Sequence, residues 1–294
     1  MSWLDLHMHT VLSNDGEFEP DKLMKLCAKA KLEVVAIADH NSTRAYRKAS
    51  ETAGALGIEL LPAVELDCTF QGKDFHVLGY GIDPVYEEYE IIEKELLCKE
   101  QDASKIRLKL IQEAGIKVDH EKAETLAHDD VITGEVIAET ALQDSRNYAL
   151  LEAYLPGGSR SDNPYVNFYW DWCAQGKIAY VPIEFISLDK AIEIIKKSGG
   201  IPVLAHPGNN VKEDTDLLEK ITERGVCGIE VFSSYHTDKQ KKFYMDWAKK
   251  HEMVMTAGSD FHGKTKPAIF LGDMDIWGME EMLYKKLKEA IRRG

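Results

Sequence analysis

Asp5-Leu6-His7-Met8-His9-Thr10 follows directly on Trp3 and Leu4, and its reading decides the fold. Trp3 to His9 reads as a short strand. Side chains alternate along a strand, which turns Asp5, His7 and His9 toward one face. Two imidazoles two residues apart on one strand face can grip one cation. Alone, that spacing also arises by chance. It gains weight because His, Asp and Glu recur downstream at the ends of short apolar runs.

Working outward, Pro20 opens a helix whose Leu23, Leu26, Cys27 and Ala30 form one apolar stripe. Val34 to Ala38 is a β-branched run ending in Asp39-His40-Asn41. A helix over Thr43 to Leu56 stops at Gly57. Ile58 to Val64 is a third strand that delivers Glu65, and Phe75 to Tyr80 a fourth that carries His76 near its start. That early position suggests an antiparallel or displaced strand. The alternation of strand and helix predicts a mostly parallel α/β sheet, with its chemistry at the carboxyl ends of strands.

Past Asp83 the pattern changes. Ile91 to Ile111 reads as long helix, and Val131 to Leu142 as a shorter one. Tyr165, Phe168, Tyr169, Trp170 and Trp172 cluster in eight residues. They are read as a small satellite core in preference to an aromatic lid. Residues 83–180 are therefore taken as a mostly helical insertion, and 1–82 with 181–294 as the main domain. Alternation resumes at Ser187, an N-cap for a helix over Leu188 to Ser198. Ile201 to Ala205 delivers His206. A helix over Asp214 to Arg224 precedes the strand Val226 to Phe232, which contains Glu230. Thr237 to Gln240 reads as a capping box. Val254 to Ala257 delivers Gly258-Ser259-Asp260-Phe261-His262, and a helix over Met279 to Arg292 closes the chain.

The 294 residues accommodate a barrel of roughly 250 residues with one insertion. Hydrophobic content of 44% and charged content of 29% suit a soluble globular protein. The five cysteines are scattered and never form Cys-x-x-Cys, which excludes a thiolate zinc site and a disulfide framework. A net charge of −14 repels phosphate backbones and disfavours nucleic acid as partner. It still allows a small phosphorylated substrate if bound cations invert the local field. No run is long enough to span a membrane and no signal peptide is visible, so the cytoplasm is the expected compartment.

His7, His9, Asp39, His40, Glu65, His206, Asp260 and His262 all end apolar runs, with His76 close by. So many imidazoles and carboxylates on one face would crowd charge unless metal ions were bound. Asp-Leu-His-Met-His-Thr, Ala-Asp-His-Asn, the glutamate of Pro-Ala-Val-Glu, Leu-Ala-His-Pro and Gly-Ser-Asp-Phe-His closely resemble the five motifs of the polymerase and histidinol phosphatase (PHP) family, in the family's order.

The resemblance implies a distorted (β/α)7 TIM-like barrel and a centre of two or three divalent metal ions that hydrolyses phosphoesters. It would give His7, His9, Glu65 and Asp260 to a first metal. Glu65 would bridge to a second held by His76 and His206. His40 and His262 would bind a third, with Asp15 where some relatives place a histidine. Asp39 is expected to orient a ligand histidine. Imidazole with carboxylate suits Mn, Fe or Zn better than Mg. The expected catalytic residues are Glu65, with His206 and His262 as candidates for protonating the leaving oxygen.

Two stretches resemble stand-alone phosphoesterases of the family: Gly176 to Pro182 and Ile229 to His236. They imply substrate contacts from Lys177, Ser234 and His236. One departure matters. Relatives acting on nucleoside 3′,5′-bisphosphates often carry Thr-Arg-Pro-His where this chain has Thr133-Gly134-Glu135-Val136. The clamping arginine is missing, and Arg146 or Arg160 would have to supply its charge. The leading expectation is a phosphoesterase that opens a cyclic phosphodiester on a phosphoribosyl sugar and then removes the monoester. The alternatives are a nucleoside 3′,5′-bisphosphate phosphatase and, from another class, a catalytically inactive metal-containing binding domain.

Overall fold

A computed structural model describes residues 2–293. Leu4–Met8 forms β1 and Val34–Ile37 forms β2, every residue of both buried. Runs without a solvent face suit parallel strands covered on both sides. The β2 side chains divide by alternation. Val34 and Ala36 join one apolar cluster, and Val35 and Ile37 join another under the first two helices. α1 (Pro20–Lys29) starts on a proline, whose missing N–H is harmless there, and buries Leu23, Met24 and Cys27. α2 (Arg44–Leu56) buries Ala45, Ala49 and Ala53, four residues apart on one face. It ends at Gly57 in the left-handed region (φ 72°).

β3 (Glu59–Phe70) runs five residues beyond Glu65 and pairs antiparallel with β4 (Lys73–Tyr80). The sequence reading ended this strand too early. Gln71 and Gly72, both at positive φ, make a two-residue hairpin turn, so the chain folds back with its ladder intact. Glu65 is thus interior to β3, although level with His40 just past the end of β2. Because β4 runs the other way, its first half lies at the rim where the parallel strands end. This explains how His76 reaches that rim from the start of its strand.

α3 (Glu87–Glu113), α4 (His120–Leu126), α5 (Gly134–Ala141) and α6 (Pro164–Phe168) follow, the last continuing into a wide helical turn over Tyr169–Cys173. They build a core of their own from Leu108, Ile111, Ile137, Ala138, Leu151, Phe168 and Cys173, with Tyr165, Tyr169 and Trp172 packed against it. α3 fastens this unit to the barrel: Tyr89, Ile92 and Leu96 join the main core and Leu108 and Ile111 the satellite.

The rest alternates as β5 (Ile186–Ser187), α7 (Leu188–Lys197), β6 (Ile201–Leu204), α8 (Pro207–Asn210), α9 (Thr215–Glu223), β7 (Gly228–Ser233), α10 (Asp238–Lys250), β8 (Val254–Gly258) and α11 (Glu280–Ile291). Ser187 caps α7, Asp214 caps α9, and Thr237 with Gln240 completes a capping box on α10. The sheet runs β1-β2-β3-β4-β6-β7-β8, with β5 paired to β3 off that path. All pairs are parallel except those made by β4. Asp260 N–H donates to His7 O (2.8 Å) and His9 N–H to Phe261 O (2.9 Å), nearly closing the sheet. The fold is the expected α/β barrel of seven principal strands. No helix of the described residues is long and apolar enough to cross a membrane.

Asp5 seals that seam. Its carboxylate accepts N–H bonds from Ser259 and Gly272, each 2.9 Å, and burial pushes its pKa up to about 6. Gly258 lies on the same seam, where an added Cβ would stand 2.1 Å from His7 Cβ and 2.7 Å from Glu230 Oε1. Gly258→Ala is therefore expected to lower unfolding free energy by about 3 kcal/mol or more, because neither neighbour can yield. A denaturant midpoint equal to that of the parent would refute this packing.

Candidate metal centre

Each strand end places its polar residue by a local device. His7 is on β1 and His9 just beyond it; Ser13 Oγ holds His9 Nδ1 at 2.7 Å and accepts the His40 N–H at 2.8 Å. His206 (φ 23°) and Asp260 (φ 59°) lie in backbone regions that non-glycine residues seldom occupy. Such strain concentrates at functional sites.

Glu65 is the hub. It is fully buried, and five imidazoles lie within 3.4 Å of its two oxygens. His7 Nε2 (3.1 Å), His9 Nε2 (3.3 Å) and His40 Nδ1 (3.4 Å) face Oε2. His76 Nδ1 (3.1 Å) and His206 Nε2 (3.0 Å) face Oε1. Burial alone would raise the Glu65 pKa; His7, His40 and His76 reverse this and hold it well below the usual carboxylate range. His7 is likewise opposed by burial, but Glu65, Glu230 and Asp260 hold its pKa well above that of a free imidazole.

Four groups of converging donor atoms include expected ligands: His7, His9, Glu65 and Asp260; Glu65, His76 and His206; His9, Asp15, His40 and His262; and His40 and His76 with Asp67. All nine residues singled out in the sequence are therefore brought together. The donor chemistry fits divalent cations. His7 Nδ1 faces the Glu230 carboxylate at 3.0 Å, so Nδ1 keeps its N–H, and a cation that displaces the second proton of the ring would meet a lone pair on Nε2. That atom lies 3.1 Å from His9 Nε2, with Asp260 Oδ1 at 3.4 and 3.0 Å from the two rings. Lone pairs and anionic oxygens packed this closely require a cation or protons between them. His262 Nε2 is 3.1 Å from Asp15 Oδ2 yet has no hydrogen-bond partner, and Asp15 Oδ1 is buried without one. Both residues belong to the group that converges with His9 and His40.

Residues around the ligands fix their orientation. Glu230 uses both oxygens, accepting the His206 N–H at 2.8 Å as well as facing His7. Tyr235 OH and Lys266 Nζ donate to Asp260 Oδ2 at 2.5 and 2.6 Å, leaving Oδ1 for the inner face. His262 Nδ1–H donates to the Asp260 carbonyl at 2.8 Å. Asp39 does not orient a histidine: it accepts from Thr10 N–H and Oγ1–H at 2.6 and 2.7 Å. Sequence reasoning missed Asp67, whose signal was its place two residues past Glu65 on the same strand face. It also missed the roles of Glu230, Lys266 and Tyr235, which arise only when distant strands meet.

The expected substrate contacts fare differently. Lys177 and Ser234 are exposed. Arg146 is bound to Asp144, and Arg160 to Asp171. His236 is buried with both nitrogens engaged: Gly208 N–H donates to Nε2 (3.0 Å), so Nδ1–H donates to Val231 O (2.9 Å). This ring pins one loop to another, leaving neither nitrogen for a phosphate. Gly134 is also explained by packing. A Cβ there would meet Tyr169 Cδ2 at 2.9 Å and Cys173 Sγ at 3.1 Å, so an arginine has no room.

Glu135 projects from the insertion into this setting. Burial, then repulsion from Asp15, pushes its pKa up to about 7 from 4.5. Between those values the unfolded chain ionises while folded Glu135 keeps its proton, so folding weakens as pH rises and the loss levels off above about 7. In metal-free protein, Glu135→Gln is expected to stabilise by up to about 3 kcal/mol at about pH 8, and to be neutral near pH 4. Urea titrations at both pH values check this; an equal difference at both would contradict it.

Comparison with known proteins places this site in context. A phosphoribosyl 1,2-cyclic phosphate 1,2-diphosphodiesterase of Eggerthella lenta is 28% identical over 262 residues, covering 88% of this chain and 94% of the relative. A 5′-3′ exoribonuclease of Haemophilus influenzae is 27% identical, covering 88% and 89%. A 3′,5′-nucleoside bisphosphate phosphatase of Chromobacterium violaceum is 27% identical, covering 100% and 99%. Among solved structures, an amidohydrolase from Chromobacterium violaceum superposes with a TM-score of 0.75 at 23% identity, covering 97% of each chain. A protein of Bifidobacterium adolescentis gives 0.75 at 24% identity, covering 99% and 96%. Both show the same fold. With the PHP domain matching residues 5–195, from β1 into α7, the chain belongs to the PHP domain family.

Proposed function

We propose that this centre opens a cyclic phosphodiester on a phosphoribosyl sugar and then removes the resulting monoester. The chain is a metal-dependent hydrolase of phosphoric ester bonds. The observation that carries this reading is Glu65, buried between two sets of histidines with one oxygen given to each. His7, His9, Glu65 and Asp260 would hold one cation, and Glu65, His76 and His206 a second. Asp15, His40 and His262 would hold a third. Imidazole and carboxylate donors favour Mn, Fe or Zn. The chemistry that divalent cations would supply, were these residues to hold them, is activation of water and neutralisation of phosphoryl charge.

The chain's own residues supply the rest. Glu65 keeps the two sets within one carboxylate's span. Lys266 and Tyr235 hold Asp260 with one oxygen inward. His206 and His262, the expected proton donors, both turn Nε2 to the carboxylates of their ligand groups, and their second nitrogens are buried without a partner in His206 and bound to a carbonyl in His262, so neither ring is free to protonate the leaving oxygen. Residues 83–180 form the proposed insertion subdomain, which reaches the centre through Glu135.

The cyclic ester is favoured by the Eggerthella relative's name and by Gly134, where packing excludes a clamping arginine. The Chromobacterium phosphatase, matched end to end, supports the bisphosphate as second reading. The −14 charge disfavours long RNA. The test is to compare manganese-loaded protein on phosphoribosyl 1,2-cyclic phosphate, a nucleoside 3′,5′-bisphosphate and a 5′-phosphorylated oligoribonucleotide. The cyclic ester is expected to give the highest kcat/KM. A higher value for either of the others would replace the substrate reading, and no turnover of any would favour a binding domain.

A further inference from the structure

The geometry points to Asp67 as a positioning residue that selects, by accepting N–H bonds from His40 and His76, which nitrogen of each ring faces the metals. This rests on the metal-centre reading above. Asp67 is held from behind by Asn41, whose Nδ2 donates to Oδ2 at 2.8 Å. The Asn41 Oδ1 in turn accepts the Asp67 N–H at 3.0 Å. The reciprocal pair fixes the carboxylate and leaves Oδ1 forward. That oxygen lies 3.0 Å from His40 Nδ1 and 3.4 Å from His76 Nε2.

An ionised carboxylate only accepts, so in this arrangement His40 Nδ1, hydrogen-bonded to Oδ1, and His76 Nε2, within ion-pair distance of it, each present N–H. A neutral imidazole carries one N–H. The lone pairs are then left on His40 Nε2 and His76 Nδ1, and the latter is the atom 3.1 Å from Glu65 Oε1. His76 would therefore bind through Nδ1, whereas His7 and His9 converge through Nε2. His40, Asp67 and His76 could themselves surround a cation. With the Glu65 group also filled, that arrangement would require His76 to donate from both nitrogens as an imidazolate. Orientation of neutral rings asks for no such deprotonation.

The test combines zinc titration by calorimetry with long-range 1H–15N spectra of the histidines in zinc-loaded protein. In the parent, His76 is expected to carry its proton on Nε2 and zinc on Nδ1. Asp67→Ala is expected to weaken the affected zinc sites about 10- to 100-fold while leaving the number bound at saturation unchanged. Asn41→Ala, which touches neither ring, is expected to weaken them in the same direction by less.

Zinc on His76 Nε2 would overturn the inference, as would unchanged affinity in Asp67→Ala. Loss of one equivalent at saturation would make Asp67 a ligand and overturn it too. A parent that binds no zinc would instead defeat the underlying metal reading, and the inference with it.

Discussion

Replacing Glu65 by Gln is expected to lower turnover of a phosphate ester by on the order of 10³-fold or more, and to release at least one cation. The carboxylate is fully buried and meets five imidazoles through two oxygens. Glutamine keeps the shape but offers one acceptor and turns an NH₂ toward the other set of rings. It also removes the negative charge that lies between the two sets. The measurement is metal content of the purified variant beside steady-state kinetics. Full metal content with normal kcat would contradict the bridging role. Release of metal with a normal rate would separate the cluster from the chemistry altogether.

Glu230→Gln is expected to weaken metal binding about 10- to 100-fold without altering ligand identity. Glu230 is buried, and its two oxygens serve two different elements, facing His7 Nδ1 at 3.0 Å and accepting the His206 N–H at 2.8 Å. A glutamine can satisfy one of these donors, and its NH₂ must confront the other. The error falls on His7, whose Nε2 would lose its inward lone pair if the tautomer changed. Competition titration against a chelator reads the affinity. An unchanged constant would mean that His7 is oriented by packing alone.

Much of this arrangement could be read before any coordinates. β2, α2 and the capped starts of α7, α9 and α10 carry local signals: an uninterrupted apolar run, a glycine stop, and Ser187, Asp214 and Thr237 at caps. Seven of the nine expected ligands were legible because each ends a short apolar run, whereas His76 lies near the start of its run and Asp15 was implied only by the family resemblance. What escaped depends on contacts between distant segments. β3 continues past Glu65 because β4 pairs with it and Gln71-Gly72 turns tightly, although Gln71 is not the residue that commonly precedes glycine in such a turn. Asp5 shares a strand face with His7 and His9 by alternation, but the seam draws its carboxylate to Ser259 and Gly272. His236 looked free for a substrate until Gly208 and Val231 engaged both its nitrogens. Gly134 is a packing residue because the turn at Tyr169–Cys173 folds over it.

Anomalous diffraction from manganese-soaked crystals, recorded on both sides of the manganese absorption edge, addresses the metal centre directly. The expected map has one peak among His7, His9, Glu65 and Asp260 and a second among Glu65, His76 and His206, with Glu65 touching both. Peaks confined to other parts of the molecule, or none within reach of Glu65, would contradict it.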